Sequence, residues 1–322
     1  MENLAQHPIV IVGPTASGKT EAALILAAKL KTSVVSADSR QIYKDLSAGT
    51  AKPRGRWEAG RYVVDGIPYH MLDFLDPAQS FNAGAYVRGA AACYAACGEN
   101  AAPPVMAGGT GLYVKAFWEG LDEMPPADAA VRGALLSEAR NSGPPALHRR
   151  LKDVDPVAAG KIHPENLHRL VRALEVYELT GRPISNFWER EALPRREGQP
   201  LFFGILWEKT ALHARIQRRC EAAFKPMLEE VLDLTRRGYA AGSPGLRSLG
   251  YPQAAAHLKG EVSYQQGLER YIQLTRQYAK RQRTWFRRQH PARWIEIAGE
   301  SAWKPEAVAE RILGEAQWKK SS

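Results

Sequence analysis

The sequence predicts an α/β fold, a P-loop-containing parallel sheet flanked by helices and interrupted by an all-helical insertion domain. Three observations carry this. The short apolar run Pro8-Ile9-Val10-Ile11-Val12 leads into Gly13-Pro14-Thr15-Ala16-Ser17-Gly18-Lys19-Thr20, and a stretch of strong helix formers follows. Two more short apolar runs, 33–36 and 104–107, end in polar or glycine-rich turns. From about residue 121 to 200 the chain reads as proline-punctuated helices with no strand pattern. The expected organisation is a core in two parts, 1–120 and 201–322, around an insertion at 121–200.

The first loop fits G-x-x-x-x-G-K-[ST], the pattern of nucleotide- and ATP-binding P-loops. Gly13 and Gly18 let successive N–H groups turn into one concave nest, and the positive end of the next helix faces the same point. Lys19 adds a full charge, and a hydroxyl at Thr20 is the usual magnesium ligand. A diphosphate or triphosphate is therefore expected against residues 13–20.

The second strand, 33–36, delivers Asp38-Ser39-Arg40-Gln41-Ile42-Tyr43 to its carboxyl end, where parallel sheets bind ligands. Position alone leaves three roles open for Asp38: magnesium ligand, helix cap or general base. Residues 50–66 read as irregular and basic. His70, alone in an apolar stretch, is read as structural. A helix is expected over 82–97. The run Pro104-Val105-Met106-Ala107 reads as a buried strand ending in Gly108-Gly109-Thr110-Gly111, a second turn whose N–H groups can face a ligand. No acid ends that strand, which argues against a nucleotide-hydrolysing switch or motor.

In the insertion, 127–140 and 166–180 read as helices. Arg169 and Arg172 share a face of the second, either solvated or contacting a partner. The sheet resumes at Leu201-Phe202-Phe203-Gly204-Ile205-Leu206. A long helical segment starts near Thr210 with Arg215 and Arg219 as neighbours, and Pro226 is expected to kink or break it. A loop spans 242–250. The helix over 264–288 carries Lys280, Arg281, Arg283, Arg287 and Arg288, with Tyr278, Trp285 and Phe286 among them. Such a mixture suits nucleic acid, cations for phosphates and flat rings for unstacked bases. It equally suits a helix whose rings are core and whose cations are solvated. A last strand is expected at 292–297.

Composition narrows the partners. With 44 Lys and Arg against 34 Asp and Glu, the net charge is +10, which attracts polyanions. The three cysteines are too few and too irregular for a disulfide framework or a zinc site. No apolar run approaches the ~20 residues needed to span a bilayer. A cytoplasmic, monomeric protein without membrane contact is expected.

Taken together, these stretches resemble the tRNA dimethylallyltransferases, also called tRNA isopentenyltransferases. The matching pieces are the phosphate loop, Asp38-Ser39-Arg40-Gln41-Ile42-Tyr43, Gly49-Thr50-Ala51-Lys52-Pro53 and Gly108-Gly109-Thr110-Gly111-Leu112-Tyr113. Further along come Ile162-His163-Pro164-Glu165-Asn166, Arg172-Ala173-Leu174-Glu175-Val176-Tyr177 and residues 275–287, all in the family's order. The P-loop is shared with many families; the last motif combined with Asp-Ser-x-Gln is far more specific. Two departures stand out. Tyr69 replaces a histidine frequent before His70, and Pro226 lies in a segment that usually holds a glycine.

The resemblance implies transfer of a dimethylallyl group from its diphosphate to the exocyclic amine of the adenine just after the anticodon, assisted by Mg2+. By the same resemblance Asp38 becomes the candidate base, with Lys19, Thr20, Thr110 and Arg219 completing the catalytic set. Residues 13–20 would hold diphosphate, and Thr20 the metal. The tRNA anticodon stem-loop would meet Asp38, Ser39, Arg40, Gln41, Thr110, Arg132, Arg169, Arg172, Arg247, Gly250, Tyr251, Lys280, Arg281, Arg283, Trp285 and Arg287. The rival readings are an adenylate prenyltransferase or small-molecule kinase on the same loop, and a non-enzymatic RNA-binding protein. The basic helix and the insertion disfavour the former, the intact Lys19, Thr20 and Asp38 the latter.

Overall fold

A computed structural model describes residues 7–97, 102–121, 124–188, 200–289 and 292–318. Strand β1 (Ile9–Val12) runs through the phosphate loop into helix α1 (Lys19–Leu30). Next come β2 (Val34–Ser36), β3 (Arg56–Glu58), β4 (Arg61–Val64), β5 (Ile67–His70), α2 (Ala83–Ala95), β6 (Val105–Gly108) and α3 (Gly111–Glu119). Helices α4 (Ala129–Ser142), α5 (Pro144–Val154), α6 (Pro156–Lys161), α7 (Leu167–Thr180) and α8 (Ser185–Trp188) follow. The chain then forms β7 (Leu201–Trp207), α9 (Lys209–Arg236), α10 (Tyr251–Leu258), α11 (Tyr264–Gln289), β8 (Arg293–Ile297) and α12 (Pro305–Trp318).

Among the described residues the sheet has eight strands in the order β3-β4-β5-β2-β6-β1-β7-β8. The six from β5 to β8 are parallel; β3 and β4 join antiparallel at one edge. Buried parallel strands read as unbroken apolar runs because both faces are covered. In β1, Ile9 and Ile11 pack on the side of Leu26, while Val10 and Val12 pack on the side of Phe117 and Phe286. Each such side chain, removed from water, contributes about 1.5–3 kcal/mol.

One expectation is corrected, and a second, a kink or a break at Pro226, loses one of its two outcomes. Residues 54–66, read as irregular, contain the edge strands. Each reversal is a two-residue turn with both central residues at positive φ, Ala59-Gly60 (46° and 77°) and Asp65-Gly66 (49° and 79°). Such turns match strand twist, so X-Gly flanked by Tyr62-Val63-Val64 and Ile67 was the available hairpin signal. Pro226 does not break α9, which runs unbroken for 28 residues. It lies on the exposed face, where water can take the carbonyl its missing N–H leaves free.

The chain divides into two compact units, Met1–Trp118 with Arg196–Ser322, and Glu119–Arg195. The second is helical among its described residues and has its own core around Leu135, Leu147, Leu170 and Leu174. At its centre lies the fully buried carboxylate of Glu175. It accepts hydrogen bonds from Arg132 (2.8 and 3.1 Å), Arg172 (2.7 Å) and the Asp128 amide (2.8 Å). Burial alone would raise its pKa; the two guanidiniums and the amide outweigh that and hold it below the usual glutamate range. Stability from this lowered value is complete above the unfolded pKa and is lost as pH falls through the folded one. Glu175→Ala strands two arginines and is expected to destabilise the unit by about 3–5 kcal/mol, read by denaturant unfolding. A loss under about 1 kcal/mol would show that the arginines find water instead.

Candidate active site

The carboxyl ends of β1, β2 and β6 converge on one side of the sheet, and the chemistry-bearing loops leave from there. Residues 13–18 form the cradle at the N-terminus of α1. Gly18 takes φ 85° and Ala16 φ 64°, a left-handed alternation that points amides inward. The cradle is held from behind. Trp207 Nε1 donates to Ser17 O (3.1 Å), and Arg215 Nε donates to Ala16 O (3.0 Å). The Arg215 guanidinium lies 4.3 Å from the Trp207 ring centre and 5.7 Å from that of Trp303. Trp303 packs against Gly18 so closely that a Cβ there would meet the ring at 2.0 Å. Glu300 pairs with both Arg215 and Arg218.

Lys19 folds over the loop, its Nζ donating to Pro14 O (2.6 Å). Burial pushes its pKa down to about 8; Asp38 opposes the shift and Arg219 adds to it. Tyr69 is buried with its hydroxyl bonded to the side chain of Thr20, and burial raises its pKa. Its neighbour His70 is half-buried on β5, and burial lowers its pKa.

Asp38 ends β2. Its Oδ1 accepts the amides of Arg40 (2.8 Å) and Gln41 (3.3 Å), which fixes the turn; its second oxygen has no hydrogen bond among the described residues. Thr110, at the end of β6, accepts the Ser39 amide (2.9 Å) and pairs with the Tyr278 hydroxyl. A cavity of about 620 Å³ covers the cradle, and a second of about 270 Å³ lies beside Ser39, Arg247, Tyr278 and Arg281. Thr15, Asp38, Thr50 and Arg219 line both. Asp38 therefore stands where the two chambers meet. Arg219 has no hydrogen bond or ion pair among the described residues, whereas Arg215 is spent on the scaffold. This separates the two arginines that the sequence left paired.

Several of the residues expected at the RNA have partners within the protein. Gly250 and Tyr251 are buried; the Tyr251 hydroxyl donates to Glu230 and accepts the Gly49 amide (3.3 Å), tying the 46–53 loop to α9. Trp285 packs against Gly111, and Phe286 is core. Gln41 is buried and donates to the Thr50 and Ala51 carbonyls (3.2 and 3.0 Å). Arg132 and Arg172 serve Glu175. In contrast Arg40, Arg169, Arg247, Lys280, Arg281 and Arg287 are exposed, and Arg283 is half-buried. The sequence reading gave no role to Gln282, Glu300 or Trp303. Gln282 carried a signal, a polar residue at the apolar spacing between Tyr278 and Phe286; Glu300 and Trp303 carried none.

Two family models match the chain, one described as IPP transferase over residues 41–289 and one as isopentenyl transferase over residues 7–57. The chain is similar to a tRNA dimethylallyltransferase of Elusimicrobium minutum, 42% identical over 97% of this chain and 99% of the relative. It is also similar to one of Halorhodospira halophila, 43% identical over 87% and 90%. Its fold matches a tRNA isopentenylpyrophosphate transferase of Bacillus halodurans with a TM-score of 0.66, at 30% identity and 98% coverage of both chains. A eukaryotic dimethylallyltransferase solved acting on tRNA shares the fold alone, with a TM-score of 0.76 at 22% identity over 96% of this chain and 78% of that one. By these matches this chain, with a glycine-lined cradle joined at a carboxylate to a second chamber, belongs to the tRNA dimethylallyltransferase family.

Proposed function

We propose that the protein transfers a dimethylallyl group from dimethylallyl diphosphate to the exocyclic amine of the adenine 3′ to the anticodon in tRNA, releasing diphosphate. The observation that carries this is Asp38 at the wall shared by the two chambers, with the phosphate cradle in one and Tyr278 and Arg281 of α11 bordering the other. The diphosphate sits against residues 13–20, with Lys19 and Arg219 countering its charge. The allylic carbon–oxygen bond breaks as that charge grows, so fixed cations and loop amides lower the barrier. The adenine amine forms the new carbon–nitrogen bond and releases a proton, which the open oxygen of Asp38 takes. Thr110 and Ser39, bonded to each other beside Asp38, line up the incoming base. An adenine inside a stacked loop must first swing out to reach them.

Magnesium fits this site. Among the described residues no three His, Cys, Asp or Glu cluster, and magnesium needs no such cage, since it takes most of its ligands from phosphate and water. Thr20 Oγ1 would hold it, with Tyr69 fixing that hydroxyl. When bound it neutralises charge on the leaving diphosphate.

The RNA meets the exposed cations Arg40, Arg247, Lys280, Arg281 and Arg287, with Arg169 of the helical unit as a further phosphate contact. No helix among the described residues is long and apolar enough to cross a membrane. The test is mass spectrometry of nucleosides from tRNA incubated with the protein, Mg2+ and dimethylallyl diphosphate. A prenylated adenosine next to the anticodon is expected; transfer to AMP but not tRNA would select the adenylate prenyltransferase. Lys280→Ala is expected to weaken RNA binding and to reduce the slope of log K against log salt by about 0.7–0.9. An unchanged slope would remove Lys280 from the phosphate contacts.

A further inference from the structure

Gln282 is buried in the C-terminal third of α11, and both ends of its amide are committed. Oε1 accepts the Thr15 N–H at 2.8 Å, and Nε2 donates to Gly109 O at 2.9 Å. One side chain thus hooks the phosphate loop after β1 to the turn after β6. The approach is direct, since a Cβ on Gly109 would fall 2.2 Å from Nε2. Four residues earlier on the same face Tyr278 reaches Thr110, and four residues later Phe286 is sealed in the core. Exposed positions of the same helix carry Lys280, Arg281 and Arg287. The helix is therefore a rod with anion-binding cations outside and an amide latched to the cradle inside.

We propose that Gln282 is a positioning residue that couples the two substrates. RNA held by the outer cations of α11 sets the phosphate loop, through the Gln282 amide, in the arrangement that grips diphosphate. The inference rests on the transferase reading above. Its physical basis is that α11 cannot shift without carrying Thr15 N–H and Gly109 O with it. Letting go would strand the donor and the acceptor of the buried Gln282 amide, which is the costly way to lose hydrogen bonds. Thr15 lines both chambers, so a displacement there is felt on both sides of Asp38. Linkage makes the effect reciprocal: diphosphate tightens RNA by the same factor.

The test uses the full chain with Mg2+ and inorganic diphosphate, which binds without reacting. Calorimetry measures its affinity alone and with a saturating, unmodified anticodon stem-loop RNA. RNA is expected to raise the wild-type affinity by about tenfold, and Gln282→Ala to cut that gain below about twofold while RNA affinity alone stays within about threefold. Gln282→Glu keeps an acceptor for Thr15 but repels the Gly109 carbonyl, so the same uncoupling is expected from an isosteric side chain; it carries the test if the alanine variant fails to fold. A merely structural role would lower both affinities and leave their ratio intact. A ratio equal to wild type in a folded variant, or a wild-type diphosphate affinity indifferent to RNA, overturns the proposal. If the wild type prenylates tRNA and yet shows no such gain, coupling falls and the transferase reading stands; if it prenylates no tRNA, that reading falls first.

Discussion

Asp38→Asn is expected to lower turnover by about 100-fold or more while RNA affinity holds, because a general base contributes roughly 10²–10⁴ in rate. The asparagine variant isolates the chemistry. Oδ1 of Asp38 already accepts the Arg40 and Gln41 amides, and an asparagine carbonyl can accept both. The turn therefore survives, and the change falls on the second oxygen, which becomes an amide that cannot take a proton. Single-turnover kinetics with saturating RNA and dimethylallyl diphosphate read the effect. Turnover within about fivefold of wild type would assign Asp38 to positioning, since removing a general base costs more than that.

Lys19→Met is expected to lower kcat/KM by about 10²–10³, the usual cost of deleting a group that stabilises developing negative charge. Its titration gives a sharper readout. Burial holds the free lysine near pKa 8, well below the ordinary 10.5. In the unliganded protein the charged form is thus disfavoured: the unfolded chain binds more protons between about 8 and 10.5, so this group's contribution to stability rises with pH across that window. An anion in the cradle reverses the preference and favours the ammonium. Affinity for dimethylallyl diphosphate is therefore expected to fall as pH rises through about 8. Lys19→Arg, whose cation does not titrate there, should lack that fall. A wild-type affinity with the same pH profile as the arginine variant would separate Lys19 from the diphosphate.

What was legible in the sequence followed from local rules. Residues 8–12, 33–36 and 104–107 are uninterrupted apolar runs because their strands are covered on both faces, and the loops at their carboxyl ends could be assigned to a common edge. The hairpin at 56–64 was hidden because β3 is exposed throughout and shows no alternation, leaving two X-Gly turns as its trace. At the site, Asp38 and Lys19 could be found from motif and strand order. Glu300 and Trp303 could not, since they lie some 280 residues from the loop they brace and no periodicity links them to it. The packing of Tyr251 and Trp285 was equally hidden: the Tyr251 hydroxyl bonds the Glu230 carboxylate and the Trp285 ring lies over Gly111, and no local pattern in the sequence announces either contact.

The brace from Trp303 has a consequence for biosynthesis. The glycine-rich turn at residues 13–18 leaves the ribosome well before Trp303, whose indole lies on Gly18. At roughly 5–20 residues per second, tens of seconds separate the two. Through that interval a nascent chain has β1 and its glycines but no indole behind them, so the turn takes its braced shape only after Trp303 has emerged.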